Sequence, residues 1–171
     1  MRHVVRALVL AILATAALAA AAGAEQLGPA SGLPLPRFVS LKADKVNMHI
    51  GPAKNHEVKW LYQRAGLPVE ITAEFENWRR IRDSDGTEGW VYHSLLSGRR
   101  TGVVTAKSKD ELIPLHERAD GKSAVIAQLQ PGVLGSVKRC NSGWCRMQGQ
   151  GFDGWIPQDR LWGVYPNEKV E

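Results

Sequence analysis

An internal repeat is the feature that most constrains the fold of this 171-residue chain. Residues 66–78 (GLPVEITAEFENW) align with residues 132–144 (GVLGSVKRCNSGW), and in both segments a glycine and a tryptophan lie twelve residues apart. The motifs Gly-Trp-Val at 89–91 and Gly-Trp-Ile at 154–156 continue the match, whereas residues 46–51 and 113–118 align less well. Two copies of one small unit are therefore predicted, over residues 37–101 and 103–166.

Both copies have the sequence pattern of β-strands. Apolar side chains alternate with polar ones, and turn residues interrupt them at short intervals, as expected for short strands joined by tight turns. Residues 83–86 (DSDG) predict a hairpin turn between strands at 78–82 and 88–92, and residues 149–151 (GQG) predict its counterpart. No amphipathic helix is predicted after residue 24. We expect an all-β protein built from two tandem small barrels.

Residues 1–24 have the pattern of a secretory signal peptide. Arg2 and Arg6 precede an Ala-rich run over 7–22, which ends in a small-residue cleavage site at 22–24. The run has 16 residues, which is short for a membrane span of about 20 residues, although a retained anchor is the alternative. We expect cleavage after Ala24, membrane contact only through the signal peptide, and export to the periplasm of a Gram-negative bacterium.

Two short segments flank the predicted barrels. Residues 25–36 (EQLGPASGLPLP) are rich in Gly and Pro and have no periodic apolar face, which predicts an extended linker. Residues 167–171 are short and polar, which predicts a frayed tail.

The charge is mildly basic. The chain carries a formal net charge of +5, and removal of Arg2 and Arg6 leaves 20 basic against 17 acidic residues, a net charge of +3. This excess is too small and too dispersed for a nucleic-acid-binding protein, which would concentrate its basic residues on one face. It is compatible with a weakly anionic partner such as a cell-wall polymer.

The two cysteines, Cys140 and Cys145, predict a disulfide. An even number of cysteines in an exported chain favours pairing, and a C-x4-C spacing with no second pair does not suit zinc. A hairpin over residues 141–144 would bring the two cysteines opposite each other. In the alignment Glu74 and Arg79 occupy the same positions in the first copy, and we predict that they form a cross-strand ion pair.

No pattern of catalytic residues emerges. The histidines beyond residue 24 lack a second ligand at metal spacing, and the chain contains no G-x-S-x-G, phosphate-binding loop or dinucleotide fingerprint. Scattered carboxylates do not single out a glycosidase pair. We therefore expect a protein that is not an enzyme and that uses neither a metal nor a cofactor.

The first copy resembles the bacterial SH3 (SH3b) family. The residues that carry the resemblance lie at 35–38 (LPRF), 46–52 (VNMHIGP), 66–70 (GLPVE), 78–83 (WRRIRD) and 85–91 (DGTEGWV). Their order and spacing are similar to those of two-repeat SH3-like proteins exported by alphaproteobacteria, but His49 stands where the family usually has Arg. The resemblance implies two tandem SH3-like β-barrels in the cell envelope.

The resemblance also implies a non-catalytic module that binds peptidoglycan or its stem peptide. One alternative is a protein–protein interaction or assembly module for a periplasmic protein. Another is an accessory to a cell-wall hydrolase encoded by a separate chain.

The tryptophans supply half of the candidate binding residues. Trp90 and Trp155, with the preceding Gly89 and Gly154, occupy equivalent positions in the repeat and are predicted to be structural. Trp78 and Trp144 are also equivalent, and they either line a groove or cap the end of a barrel. These alternatives stay open because flat aromatic rings suit both tasks.

Two further sets of residues are candidates for ligand contacts. Trp60 and Tyr62 share one face of a strand, where they form either an aromatic platform for a sugar or peptide or a contact with the second barrel. An apolar groove between them and that barrel would favour the assembly module. Arg80 and Arg82 share a strand face and either meet an anionic ligand or form ion pairs with Glu74, Glu76 and Asp83.

Overall fold

The computed structural model describes residues 26–171, whose regular secondary structure consists of β-strands and two short 3₁₀ turns. A short hairpin of β1 (Gln26–Leu27) and β2 (Pro34–Leu35) precedes the first barrel. The first barrel contains β3 (Arg37–Leu41), β4 (Val46–His49), β5 (Val58–Tyr62), β6 (Pro68–Phe75), β7 (Trp78–Arg82), β8 (Glu88–Tyr92) and β9 (Leu96–Ser97). A 3₁₀ turn, His93–Leu95, joins its last two strands.

The second barrel repeats the first strand for strand. It contains β10 (Thr101–Val104), β11 (Ile113–His116), β12 (Val125–Leu129), β13 (Leu134–Asn141), β14 (Trp144–Gly149), β15 (Phe152–Pro157) and β16 (Leu161–Trp162), with a 3₁₀ turn at Gln158–Arg160. The strand orders are β5-β4-β8-β7-β6-β3-β9 and β12-β11-β15-β14-β13-β10-β16. The prediction of two tandem SH3-like β-barrels is therefore confirmed.

The register shows that the repeat is more complete than the sequence alignment indicated. His49 pairs with Trp90, and His116 pairs with Trp155. The strand pairing shifts register immediately before each of these histidines. The segments at 46–51 and 113–118, which align poorly as sequence, thus occupy equivalent places, with His116 the counterpart of His49.

Each barrel has its own hydrophobic core. Val46, Met48 and Val91 are buried in the first, and Leu115 and Met147 are buried in the second. Gly89 and Gly154 let the strands that enclose these cores approach closely. A Cβ at Gly89 would lie 2.6 Å from Cγ of Met48, and one at Gly154 would lie 2.8 Å from the backbone oxygen of His116.

The predicted linker is wrong, because residues 26–36 form a hairpin that docks on the first barrel. Leu35 is buried in the core of that barrel. The backbone N–H groups of Ala30 and Ser31 donate hydrogen bonds to the carboxylate of Glu74, at 3.0 and 2.9 Å. The Ser31 hydroxyl donates a third at 2.7 Å. These contacts join residues more than 40 positions apart, so local composition does not reveal them.

The predicted frayed tail is also wrong. Val170 pairs with Cys140 as an isolated antiparallel bridge, with two backbone hydrogen bonds of 2.9 and 3.1 Å. Glu168 accepts hydrogen bonds from the guanidinium of Arg100 at 2.6 and 2.9 Å. The end of the chain is therefore held by the second barrel.

The predicted covalent and ionic cross-links in the two equivalent hairpins are confirmed. Cys140 and Cys145 lie opposite each other in the β13–β14 ladder and form a disulfide. Glu74 and Arg79 lie opposite each other in the β6–β7 ladder, with Nε of Arg79 3.2 Å from the Glu74 carboxylate.

Trp162 joins the two barrels. Its ring packs edge-on against Phe38, with the centroids 5.0 Å apart, and its indole N–H donates a 3.2 Å hydrogen bond to the backbone oxygen of Pro68. Tyr165 packs against the other side of this contact, 4.6 Å from the Phe38 centroid, and its hydroxyl donates to Glu70. The inter-barrel contact therefore centres on Trp162 and not on Trp60 and Tyr62.

Candidate functional site

A groove with a volume of about 640 Å³ lies over Trp78 in the first barrel. We call it the Trp78 groove. Strands β4, β5, β7 and β8 and the 3₁₀ turn after β8 bring its walls together. The lining residues are Lys45, Asn47, His49, Lys54, Leu61, Trp78, Tyr92, Ser94 and Leu95.

Aromatic rings form one wall of the Trp78 groove. Trp78 is nearly buried and packs edge-on against His49 and Tyr92, at centroid distances of 5.3 and 5.5 Å. Nδ1 of His49 lies 2.8 Å from the backbone oxygen of His56. Because a carbonyl oxygen can only accept, this nitrogen carries the proton. The rings are thus fixed by the fold before any ligand arrives.

The charged residues of the groove all have one sign. Lys45 and Lys54 line it, and no carboxylate does. The ammonium nitrogen of Lys54 lies 5.8 Å from the centroid of the Tyr92 ring. A groove with an aromatic wall and two cations suits a ligand that combines a carboxylate with apolar surface.

The second barrel keeps only part of this arrangement. His116 packs edge-on against Trp144 at 5.3 Å, as His49 does against Trp78. However, Pro157 stands where Tyr92 pairs with Trp78, and the matching positions of Lys45 and Lys54 hold Leu112 and Gly121. The shared His–Trp pair is therefore a feature of the fold, whereas the lysines and Tyr92 belong to the first barrel alone.

Trp60 and Tyr62 face a second, smaller cavity. Trp60 is 55% exposed, whereas Tyr62 is buried and donates a 2.9 Å hydrogen bond to Asp83. We call this the Trp60 cavity; its volume is about 270 Å³. Besides these three residues it is lined by Leu67, Pro68, Val69, Ser84, Asp85, Thr87 and, from the second barrel, Val103.

Arg80 and Arg82 are already paired with carboxylates. Arg80 forms a 2.5 Å ion pair with Glu88, and Arg82 forms an ion pair with Glu70. The predicted partners Glu74, Glu76 and Asp83 are thus wrong for both side chains. Arg82 lies directly opposite its partner Glu70 in β6. Arg80 reaches Glu88 diagonally, because Glu88 lies opposite Arg82 in β8. Two neutralised guanidinium groups are weak candidates for an anionic ligand.

Trp90, Trp144 and Trp155 are all partly exposed. Trp90 lies next to His49 and Arg80 in its two neighbouring strands, and Trp155 has the matching neighbours His116 and Arg146. Neither Trp90 nor Trp155 lines the Trp78 groove or the Trp60 cavity. The two equivalent tryptophans therefore cover matching strand faces.

Sequence reasoning found Trp78 but not the other groove residues. Tyr92 follows Trp90 by two positions and lies opposite Trp78, so strand alternation was a usable signal for it. Lys45 and Lys54 lie outside the strands, where no periodic pattern points to them.

Residues 26–171 contain neither a metal-binding cluster nor a membrane-spanning helix. That part of the chain contains no cluster of three or more His, Cys, Asp or Glu side chains able to hold a metal ion. No helix within it is long and apolar enough to cross a membrane. The predicted signal peptide lies outside the described residues.

Comparison with known proteins identifies the repeat. The family model "Bacterial SH3 domain" matches the chain twice, at residues 42–98 and 109–163. No curated protein matches significantly. Similar solved structures include NlpC2 and NlpC1 from Trichomonas vaginalis, both 12% identical, with TM-scores of 0.34 and 0.32. The matches cover 74% and 79% of this chain and 48% of each of those chains, so the chain spans about half their length.

Proposed function

The chain belongs to the bacterial SH3 domain family, and from this premise we propose that it is a non-catalytic cell-envelope module whose Trp78 groove binds the stem peptide of peptidoglycan. Domains of this family are commonly cell-wall binding modules. The observation that carries the finer assignment is the pairing of an aromatic wall with Lys45 and Lys54 in a groove without carboxylates.

The stem peptide matches this groove in its chemistry. It is short, and it carries free carboxylates next to small apolar side chains. Lysine ammonium groups attract the carboxylates, and the partly exposed ring of Tyr92, packed beside the nearly buried Trp78, offers apolar area together with a polar atom. Because the rings are held by the fold, little conformational entropy is lost when the ligand binds.

The test is a pull-down of the purified chain with purified peptidoglycan sacculi. The double variant Lys45→Glu/Lys54→Glu and the single variant Tyr92→Ala are each expected to reduce the bound fraction about tenfold or more. Binding of the unmodified chain should also weaken as salt is raised from 50 to 500 mM, in line with screening on a scale of about 10 Å at 0.1 M.

The matched control is Lys109→Glu/Lys122→Glu, which reverses two exposed lysines of the second barrel. It imposes the same change in net charge away from the groove and is expected to bind like the unmodified chain. Equal loss in both double variants would assign binding to net charge, and undiminished binding in the groove variants would reject the assignment.

We also propose that the protein acts in the periplasm, with residues 1–24 as its export signal. The support is the sequence pattern of two arginines, an Ala-rich run and a small-residue site. N-terminal sequencing of the protein from a periplasmic fraction should begin at Glu25. Recovery of the intact N-terminus with the membrane fraction would instead indicate a retained anchor.

The assembly-module alternative receives less support. It predicted an apolar groove between Trp60, Tyr62 and the second barrel. The Trp60 cavity does reach Val103 of that barrel, but it is also lined by Asp83 and Asp85. These carboxylates favour a cationic group over an apolar protein surface.

A further inference from the structure

The Trp60 cavity differs from the Trp78 groove in the sign of its charge. Its charged residues are Asp83 and Asp85, whereas the groove is lined by lysines. We propose that the Trp60 cavity binds a primary ammonium group, supplied by the diamino acid of the stem peptide. This inference rests on the function proposed above, and it assigns a second contact to the same ligand.

Within residues 26–171, the carboxylates of the cavity form no ion pair. Oδ1 of Asp83 accepts the backbone N–H groups of Asp85 and Thr87 at 3.1 and 2.8 Å, and its Oδ2 accepts the Tyr62 hydroxyl. Among the ion pairs of residues 26–171, none involves Asp83 or Asp85. Hydrogen bonds hold Asp83 in place without neutralising it, so the cavity keeps a negative potential.

The surroundings of Tyr62 affect the pKa of its hydroxyl. Burial, then the charge of Asp83 and its hydrogen bond, and then the charge of Asp85 raise the pKa of the Tyr62 hydroxyl well above its usual value of 10.0. The phenol therefore stays neutral and remains a hydrogen-bond donor to Asp83. The Tyr62 ring therefore contributes a neutral aromatic surface to the cavity, next to Asp83.

Trp60 provides the surface that an ammonium group favours. A cation placed over an indole face is attracted by the ring quadrupole, and tryptophan is the best of the aromatic side chains for this contact. The Trp60 side chain is 55% exposed, although a tryptophan in a small domain usually buries most of its surface. An exposed indole beside two unpaired carboxylates has the features of an amine-binding site.

The two sites lie on either side of one strand. Trp60 and Leu61 are adjacent in β5, so their side chains project to opposite faces; Leu61 lines the Trp78 groove and Trp60 lines the cavity. Strand β5 is at the end of its sheet. A stem peptide carries carboxylates, which suit the lysines of the Trp78 groove, and its diamino acid carries an amine, which suits the carboxylates of the Trp60 cavity.

The second barrel lacks this site. Ala127 occupies the register position of Trp60. The turn between β14 and β15 consists of Gln150 and Gly151 and contains no carboxylate. The two barrels share a fold, so a purely structural requirement for an exposed Trp and two Asp would be expected in both. Their presence in one barrel favours a binding role.

The experiment measures the affinity of two synthetic peptides by titration calorimetry. One is the stem tripeptide L-Ala-γ-D-Glu-diamino acid with its side-chain amine free, and the other has that amine acetylated. The free-amine peptide is expected to bind the unmodified chain about five to ten times more tightly. Asp85→Asn should remove this preference, and Trp60→Leu should reduce it. Asp110→Asn, at an exposed position of the second barrel, should preserve it.

Equal affinity for the two peptides in the unmodified chain would overturn the inference while leaving the Trp78 groove untouched. If the Trp78-groove variants also bound sacculi normally, the proposed function would fail as well. A second readout is the NMR shift of the Trp60 indole N–H with Nα-acetyl-lysine methylamide and its norleucine analogue. A lysine-specific shift without any peptide preference would point to a protein lysine and overturn the assignment to the stem peptide.

Discussion

Glu74 shows how one residue can organise a barrel. Its side chain is fully buried, and its carboxylate accepts hydrogen bonds from Ala30, Ser31 and Arg37 and pairs with Arg79. Burial raises the pKa of this carboxyl, but the hydrogen bonds from Ser31, Arg37 and the Ala30 backbone outweigh that effect and lower it from 4.5 to about 2. A buried carboxylate costs little free energy when so many donors satisfy it.

This arrangement predicts a pH-dependent stability. Because the folded-state pKa is depressed, the stabilisation is present above pH 4.5 and is lost as pH falls toward 2. Linkage gives a loss of about 3 kcal/mol in the free energy of unfolding. Urea denaturation at pH 6 and pH 2 should show a smaller loss in Glu74→Gln than in the unmodified chain, by about that amount. Parallel losses in the two proteins would contradict the assignment.

Gly89 supports a second prediction at a single residue. A methyl group there would clash with Met48 and the backbone of His49, so Gly89→Ala should lower the free energy of unfolding by about 1 to 3 kcal/mol. Gly98→Ala is the matched control, because a Cβ there meets no atom within 4 Å. It should change stability by less than about 0.5 kcal/mol. Equal effects in urea denaturation would count against a close approach of β4 and β8.

At the scale of elements, the two long hairpins are cross-linked differently at equivalent positions. The register pair Glu74–Arg79 in β6–β7 corresponds to Cys140–Cys145 in β13–β14. Each position also fixes a distant segment, since Glu74 holds the N-terminal hairpin and Cys140 pairs with Val170. One barrel therefore uses charge and hydrogen bonds where the other uses a covalent bond.

The disulfide accordingly has a measurable role. Replacement by Cys140→Ser/Cys145→Ser should lower the free energy of unfolding by about 2 kcal/mol, because the closed loop is short. Native-state hydrogen exchange should also show faster exchange at the Cys140 and Val170 amides, which bond to each other's carbonyls. Unchanged stability, or unchanged exchange at Val170, would mean that backbone hydrogen bonds hold the C-terminal residues in place without the disulfide.

Whether a contact could be predicted depends on how far apart its residues lie in the sequence. The hairpin pairs could be predicted because Gly–Trp spacing and strand alternation set a register over a dozen residues. The equivalence of His49 and His116 was only weakly indicated by the alignment, because neighbouring residues such as Asn47 and Pro114 have no similarity. The docking of Ser31 was missed because it depends on Glu74, 43 positions away.

At the scale of the whole molecule, the contact between the barrels centres on a residue that departs from the repeat. Trp162 occupies the position that Ser97 has in the first copy, as the pairing of β16 with β10 and of β9 with β3 shows. Its lack of a counterpart was visible in the sequence, but its partner was not. The same holds for the candidate site: Trp78 was a candidate from the repeat, whereas Lys45 and Lys54 line the groove from positions outside the strands.

The coupling of the barrels through Trp162 gives the last prediction. Trp162→Ser installs the residue of the first copy and removes both the ring contact with Phe38 and the hydrogen bond to Pro68. The free energy of unfolding should fall by about 2 to 3 kcal/mol. Because each barrel has its own core, weakening the contact should also split one urea transition into two, with a smaller m-value for each.

The control for this substitution is Trp60→Ser, which removes the same side chain from an exposed position. It should shift stability by less than about 1 kcal/mol and leave a single transition. Two transitions already present in the unmodified chain would mean that the Trp162 contact orients the barrels without coupling their folding. A single transition in Trp162→Ser would instead assign the coupling to the remaining contacts, such as Tyr165 with Glu70.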